Sequence, residues 1–318
     1  MPPLPKEQNA PDYSVIIRDR MKFSVVIPTY NRADLIKKSL ESVYAQTYQD
    51  WEIIVVDNCS TDNTEEVMAE YVKRGKLSYL RNDRNYERSY SRNKGMKLAK
   101  GEYVTLLDSD DILYPDCLDK AAKFIDKNPE SVFFHCCFEI LNGNYKPVKR
   151  PVFPDIKNPF KAISKGNFIS NIGVFYKRPL LDKVKFSEEP IIIGVEDYDF
   201  VLNTLLHTGK IDRINEYCCG VYNHSGRSVN HEEWERTHKR INYFIQKQLD
   251  NPLFNEKMKK YKGSFLAHTD LYLASFCAVH KMRKKSWLYI TRSVRRYPAI
   301  LGEVVFWKHI FVVIKKMF

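Results

Sequence analysis

The 318-residue chain contains no stretch approaching the roughly 18 uncharged apolar residues of a membrane-spanning helix. Residues 1–20 are Pro-rich and charged and lack an apolar segment, so they read as a flexible leader and not as a signal peptide. Met21 stands directly before the first strand-like run and could serve as an alternative start. The seven cysteines fall at irregular spacing, which matches neither a disulfide framework nor a zinc site. Cys136-Cys137 and Cys218-Cys219 are adjacent, a poor geometry for chelation. All seven read as free thiols of a reducing compartment. Both glycine-rich phosphate cradles, G-x-G-x-x-G and G-x-x-x-x-G-K-[ST], are missing. Dinucleotide and Walker-type phosphate binding are therefore unsupported, and any phosphate has to be met by a metal and by Arg/Lys. Acids are nearly missing from the C-terminal end. Lys281 to Phe318 holds ten Lys/Arg and one acid, Glu303, a local net of +9 out of +12 for the chain. Met21 to Lys120 holds fifteen Lys/Arg and seventeen acids, a net of −2. That imbalance points to a tail that binds something anionic, not to a nucleic-acid-binding protein.

What is present is a core-forming composition, 44% hydrophobic, and one stretch around which the rest is organised. Tyr103-Val104-Thr105-Leu106-Leu107 reads as a buried parallel strand that runs into Asp108-Ser109-Asp110-Asp111. In open α/β sheets, ligands bind beyond the carboxyl ends of strands. Asp-x-Asp at such an end suits a divalent cation held against a diphosphate, because hard oxygen ligands suit magnesium or manganese. Taken alone, the three acids also read as a solvated turn that caps the next helix, about Asp116 to Lys127.

Strand and helix patterns alternate before it. Phe23–Ile27 and Trp51–Val56 read as buried strands and Leu77–Leu80 as a short third. Helices are expected from about Ala33 to Ala45, up to Lys73, and from about Ser91 to Ala99, with Asn82–Tyr90 a polar loop. This is an α/β pattern with a mostly parallel, Rossmann-like sheet flanked by helices. Asp57 ends the second strand, facing the same crevice as Asp108 and Asp110; a carboxylate there can accept the N3–H of a uracil while Tyr30 stacks on its face. Arg84, Arg88 and Arg92, four apart, can meet phosphates or form a solvated face.

The stretch Val25-Val26-Ile27-Pro28-Thr29-Tyr30-Asn31-Arg32, then Ser42 and Gln46, then Glu52 to Asp62, then Ser91-Arg92-Asn93-Lys94-Gly95, Gly101-Glu102-Tyr103 and Leu107 to Asp111 closely resembles the family 2 nucleotide-sugar glycosyltransferases. The resemblance implies a GT-A type fold, an activated sugar nucleotide as donor, and Mn2+ or Mg2+ as cofactor. By position it implies that Pro28, Tyr30 and Asp57 line the uridine site, that Asp108 approaches the ribose and that Asp110 ligates the metal. Cys59 stands where glycine is common, Ser91 where alanine is common, and Tyr86 where glycine often sits.

In the second half, Ser131–Ile140 and Ile172–Lys177 read as strands and Asn142–Lys165 as a loop near the acceptor side. Gly194 to Phe200 opens a helix to about His207; acids at its start are favoured by the helix dipole. The resemblance gives the Glu-Asp pair there the role of catalytic base, Asp197 first and Glu196 its rival. Asp199, two residues on, faces another side. Cys218–Tyr222 reads as a strand leading to His224, which the resemblance makes a further metal ligand, with Arg227 or Ser228 near the diphosphate. From about Trp234 the chain reads as helical. At its end Lys308, His309, Lys315 and Lys316 share one side and Trp307, Ile310, Phe311, Ile314, Met317 and Phe318 the opposite one, the pattern of an interfacial helix. Lys281 to Lys285, Arg292, Arg295 and Arg296 add charge suited to anionic headgroups; the alternative is a helix packed on the domain or on a dimer partner.

The expected organisation is a glycosyltransferase domain over 21–230, with a nucleotide-binding half (21–120) and an acceptor half (121–230), followed by a helical basic tail over 231–318. The expected function is inverting transfer of a hexosyl or N-acetylhexosaminyl group, probed first as a UDP-sugar, to a hydroxyl of a lipid-linked or surface-polysaccharide precursor. The expected place is the cytoplasmic face of the membrane, held peripherally by the tail, with no nucleic acid bound. The rival reading is a non-catalytic nucleotide- or lipid-binding scaffold of the same fold. A sugar nucleotidyltransferase is disfavoured by the missing glycine-rich phosphate loop.

Overall fold

Mostly apolar runs, buried on both faces, build the central sheet. β1 (Phe23–Thr29) and β2 (Trp51–Asp57) are buried along their whole length in this computed structural model, which describes residues 21–224 and 233–317. The expected leader, Arg227, Ser228 and Phe318 lie outside the described residues. Successive side chains of a strand point to opposite faces, so each strand feeds two cores. Val25, Ile27, Ile53 and Val55 pack on α1 (Ala33–Tyr44), α2 (Thr64–Lys73) and α4 (Cys117–Lys127). Val26, Ile54 and Val56 pack on the other side with α3 (Glu87–Leu98) and α6 (Glu196–Thr208). Burial on both faces is what a parallel sheet requires.

β3 (Leu77–Arg81) and β4 (Tyr103–Leu106) complete a parallel half in the order β3-β2-β1-β4. Beyond β4 the sheet continues through β8 (Val174–Lys177), β6 (Phe133–Leu141), β9 (Asp212–Tyr222) and β5 (Ile112–Leu113), antiparallel at each junction except β6 with β9. β7 (Pro147–Lys149) pairs antiparallel with β6. The parallel pattern read from the sequence thus describes the first half, and the second half is mixed. The chain runs from β1 outward to β2 on one side and comes back to β4 on the other. That reversal leaves a crevice at the carboxyl ends of β1, β2 and β4.

Two segments differ from expectation. α3 begins at Glu87, inside the expected polar loop, because its buried face is made of Ser89, Ser91, Arg92, Gly95 and Met96 and carries little apolar periodicity. The stretch Asn142–Lys165 holds β7 and α5 (Pro159–Ile163); Asn158 caps α5 by accepting the Lys161 N–H at 2.9 Å, and Ile163 is fully buried.

The tail is helical, as expected: α7 (Trp234–Leu249), α8 (Pro252–Lys257), α9 (Lys262–Val279), α10 (Arg283–Arg296) and α11 (Val304–Met317). Phe244, Phe254 and Phe265 join the apolar cluster that contains Val26 and Phe200, so its first helices complete the core beneath the sheet. α9, α10 and α11, with Ile241 of α7, form a separate cluster around Leu271, Ala274, Ile290 and Val313. On α11 the core takes Phe306 and Val313 and half-buries His309 and Ile310. His309 is bonded to Ser275 Oγ at 2.5 Å, and burial lowers its basicity, so it belongs to the packed side and not to an exposed basic face. Val304, Trp307, Phe311 and Ile314 form an exposed strip, with Phe311 67% exposed, and the exposed Lys308 and Lys315 lie beside it. Among the described residues no helix is long and apolar enough to cross a membrane.

α3 lies so close to β1 that a Cβ at Gly95 would sit 2.3 Å from Val26 Cγ1. Gly95→Ala is expected to cost about 1–3 kcal/mol of stability by overpacking, although alanine is the better helix former. Urea denaturation measures this, and a stabilised variant would show that α3 can lift off the sheet.

Candidate active site

A cavity of about 270 Å³ opens at the reversal point. The turn after β4 forms its floor and is tied from three sides. Asp111 N donates to the Asp108 carbonyl at 3.0 Å, and Ser39 Oγ on α1 donates to the Asp111 carbonyl at 2.7 Å. Asp111 Oδ1 accepts the Tyr222 N–H at 2.8 Å, which fastens the end of β9 to this turn. The next residues of the chain then bring His224 Nε2 to 2.8 Å from Asp110 Oδ2. The ring of Tyr222, stacked on Tyr145, lies in turn on His224 at 5.1 Å between centroids. Arg32, just after β1, pairs with the same Asp110 oxygen.

Arg92 occupies the centre. Its guanidinium is 2% exposed and donates to Asp108 Oδ1 at 2.8 Å and to Asp197 Oδ1 at 2.9 Å, with Glu196 at 3.5 Å. Arg88, one turn earlier on the same helix, lies 3.8 Å from Glu196 and lines the cavity. Arg84 lies over the Tyr86 ring instead. Of the arginines expected to meet phosphate, Arg92 is thus engaged with carboxylates.

Those contacts set the carboxyl groups apart. Burial pushes Asp108 up, but the Arg92 charge and hydrogen bond, with Arg88 and Arg32 beyond, override it and hold Asp108 below the usual carboxylate value. For Asp197 desolvation at the cavity wall, where the side chain is still 38% exposed, acts with the Glu196 charge to push the carboxyl up to about 6, against the pull of Arg92. Asp197 lines the cavity, and among the described residues both hydrogen bonds to its carboxylate, from Arg92 and from Asn171 Nδ2 at 2.6 Å, go to Oδ1. Glu196 is buried and accepts the Gly194 N–H at 2.5 Å. Asp199 turns away into α7, where Lys247 and Gln248 donate to it at 2.6 and 2.7 Å.

Pro28 and Tyr30 line the cavity, and Thr29 Oγ1 is buried there without a hydrogen-bond partner among the described residues. Asp57 does not line it. Its Oδ1 accepts from Ser60 N and Oγ at 2.9 and 2.6 Å, and its Oδ2 accepts from Tyr79 at 2.7 Å. The residue after it, Asn58, lines the cavity in its place, with its side chain bonded to Asn82, Asn85 and Tyr86. Strand alternation carries that signal, since Asp57 shares a face with Val55 and Asn58 takes the other side. Arg32, which ends the first motif of the resemblance, was given no role there, and nothing in the sequence marks Asn171. Cys59 has φ 68°, the left-handed conformation that explains why glycine is common there.

Asp110 Oδ2 and His224 Nε2 offer a hard oxygen and an imidazole nitrogen at one point, a donor pair acceptable to manganese. Among the described residues no three His, Cys, Asp or Glu side chains converge on one position. A cation there would take its remaining ligands from the donor phosphates and water. The charges agree: Asp108, Asp110, Glu196 and Asp197 already face Arg32, Arg88 and Arg92. No cationic surplus is left for a diphosphate unless a cation enters with it.

The sequence profile of Glycosyl transferase family 2 matches residues 24–185. The chain belongs to this family. It is 35% identical over 208 residues to an uncharacterized glycosyltransferase of Methanocaldococcus jannaschii, covering 63% of this chain and 70% of that one. It is 30% identical over 231 residues to the Escherichia coli UDP-Glc:alpha-D-GlcNAc-diphosphoundecaprenol beta-1,3-glucosyltransferase WfgD, covering 72% and 87%. The fold is the GT-A type. Staphylococcus aureus TarS residues 1–349, crystallised with UDP-GlcNAc, superposes with a TM-score of 0.62 at 21% identity over 87% of this chain and 92% of that one. This chain spans 54% of the longer TarS chain. The Pyrobaculum calidifontis mannosyltransferase PcManGT, in complex with GDP-Man and Mn2+, superposes with a TM-score of 0.58 at 20% identity over 94% and 87%.

Carbon-13 NMR of labelled aspartate carboxyls is expected to show Asp197 titrating near 6 and Asp108 below the ordinary carboxylate range. Ordinary values for both would mean that Arg92 does not hold them as described.

Proposed function

We propose that the chain transfers a hexosyl or N-acetylhexosaminyl group, with inversion, from a UDP-sugar to an acceptor hydroxyl of a lipid-linked polysaccharide precursor. The observation that carries this is a single cavity onto which Asp110, paired with His224, and Asp197, with its raised carboxyl, both open. Held by Asp110 and His224, a Mn2+ or Mg2+ ion would supply Lewis-acid neutralisation of the charge that builds on the departing nucleoside diphosphate. Asp197 takes the acceptor proton while the acceptor oxygen bonds to the anomeric carbon and the bond to the diphosphate oxygen breaks. Arg92 and Asn171 hold Oδ1 of that base in place, leaving Oδ2 for the proton. Glu196, buried and bonded to backbone, supports Asp197 and is not the base. Tyr30, 42% exposed, offers its face to the nucleotide base, and Asn58 and Thr29 offer polar atoms beside it.

The donor named for WfgD and the UDP-GlcNAc bound to TarS support uridine. The Mn2+ of the mannosyltransferase complex supports manganese, and its GDP-Man makes GDP the control nucleotide. The diphosphoundecaprenol acceptor named for WfgD supports a lipid-linked acceptor. The exposed strip Val304, Trp307, Phe311 and Ile314, flanked by lysines, is suited to an anionic cytoplasmic membrane surface, with the apolar strip entering the headgroup region and lysines at the phosphates.

Calorimetric titration with UDP and GDP, each with and without Mn2+, is the first test. Manganese-dependent UDP binding is expected; no binding of either nucleotide would favour a scaffold. Asp197→Asn should leave the UDP Kd within about twofold while transfer falls about 10²–10⁴-fold; equal loss of both would remove Asp197 as base. The wild-type rate should fall about tenfold per pH unit below about 6, because only ionised Asp197 accepts a proton. Cosedimentation with phosphatidylglycerol vesicles tests the tail. Binding should weaken at least about tenfold in the Trp307→Ser, Phe311→Ser double variant. A wild-type protein that stays in the supernatant would assign the strip to a protein partner.

A further inference from the structure

We propose that Arg32 is a built-in counter-ion that keeps Asp110 closed to a divalent cation until a nucleotide diphosphate draws it away. The proposal rests on the reading of Asp110 as a metal ligand. Arg32 pairs with Asp110 Oδ2, the oxygen that His224 Nε2 also touches. A cation bonded to that oxygen within reach of His224 has to take the place of the guanidinium. Sharing is disfavoured, because the Asp110 side chain is 8% exposed and water screens little of the repulsion between two cations there.

The backbone that carries Arg32 is fixed. Asn31 has φ 50°, its N–H donates to Ser60 Oγ at 2.9 Å, and its Oδ1 accepts the Thr61 N–H at 2.7 Å. Any change must therefore come from the side chain, which is 23% exposed and lines the cavity. A diphosphate entering the cavity adds negative charge within reach of that side chain. Arg32 gains a second anionic partner when the nucleotide binds, and Asp110 Oδ2 becomes free for the cation. Metal and nucleotide binding are then positively coupled, each weak without the other.

The test reads metal binding, not turnover. Mn2+ affinity is measured by electron paramagnetic resonance for wild type, Arg32→Gln and Arg32→Lys, with and without saturating UDP. Saturating UDP should tighten Mn2+ binding to wild type at least about tenfold. Arg32→Gln should bind Mn2+ alone at least about tenfold more tightly than wild type and show a correspondingly smaller effect of UDP, the part that remains coming from direct phosphate ligation of the cation. Arg32→Lys, which keeps the charge, should retain weak binding of Mn2+ alone. An Arg32→Gln protein, folded by circular dichroism, that binds Mn2+ alone no more tightly than wild type overturns the proposal; Arg32→Met gives the same reading if the glutamine variant does not fold. Asp110→Asn separates the two levels. If it leaves Mn2+ binding unchanged, the metal-ligand reading fails and takes this proposal with it. If it abolishes UDP-dependent Mn2+ binding while Arg32→Gln has no effect, only the role of Arg32 fails.

Discussion

One buried guanidinium holds the two halves of the site together. Arg92 comes from α3, in the parallel half of the sheet, and its partners come from the turn after β4 and the first turn of α6. A buried charge is costly unless it is paired and hydrogen-bonded, and removing one partner strands the rest. Three carboxylates around one cation are equally unstable without it. The arrangement therefore fixes where α6 begins relative to the sheet, and with it where Asp197 stands. The Phe186 ring, 5.1 Å from the guanidinium, closes the remaining side. The same contacts drive the two carboxyls apart in acidity, with Asp108 held ionised by its cation and Asp197 lifted by burial beside Glu196. A base that takes a hydroxyl proton near neutral pH needs the second condition.

The parallel half of this site was legible in the sequence because it is made locally. Each strand end carries its cavity-lining residues within a few positions, so Pro28, Tyr30, Asp108 and Asp110 follow from where β1 and β4 stop. Asp57 shows the limit of that reading. It stands at the right strand end, yet the side chain belongs to the buried face and is consumed by Ser60 and Tyr79. α3 was partly hidden because a helix whose buried face is serine, arginine and glycine carries no apolar period. The roles of Arg92, Asn171 and Arg32 depend on contacts between distant segments, and no local pattern reports those.

The tail teaches the same lesson from the other direction. Its charge and its angular pattern are real features of the sequence, but the pattern could not say which arc the protein itself would cover. The structure covers His309 and Ile310 and leaves Val304, Trp307, Phe311 and Ile314 outside. Polar bonds at the covered side, such as Ser275 with His309, tie α11 to α9. The aromatic strip and the lysines therefore face outward together. For an interfacial helix this is the more useful arrangement, since lysine stems can lie along the apolar surface while their charges reach the phosphates.

The charge balance inside the cavity connects these parts. Asp108, Asp110, Glu196 and Asp197 face three arginines and Glu87 also lines the cavity, so negative charge is already in slight excess. A nucleotide-sugar brings a diphosphate, and a diphosphate alone would raise the negative charge in a place that water screens poorly. A divalent cation entering with it would restore the balance without breaking the Arg92 cluster that holds Asp197. Arg32 and Arg88, both partly exposed and both lining the cavity, have room to change partners, whereas Arg92 is walled in; of the two, Arg32 is the one paired with Asp110. On the proposed mechanism, a fixed Arg92 would keep Asp197 in place while the more exposed arginines turn toward a charged donor.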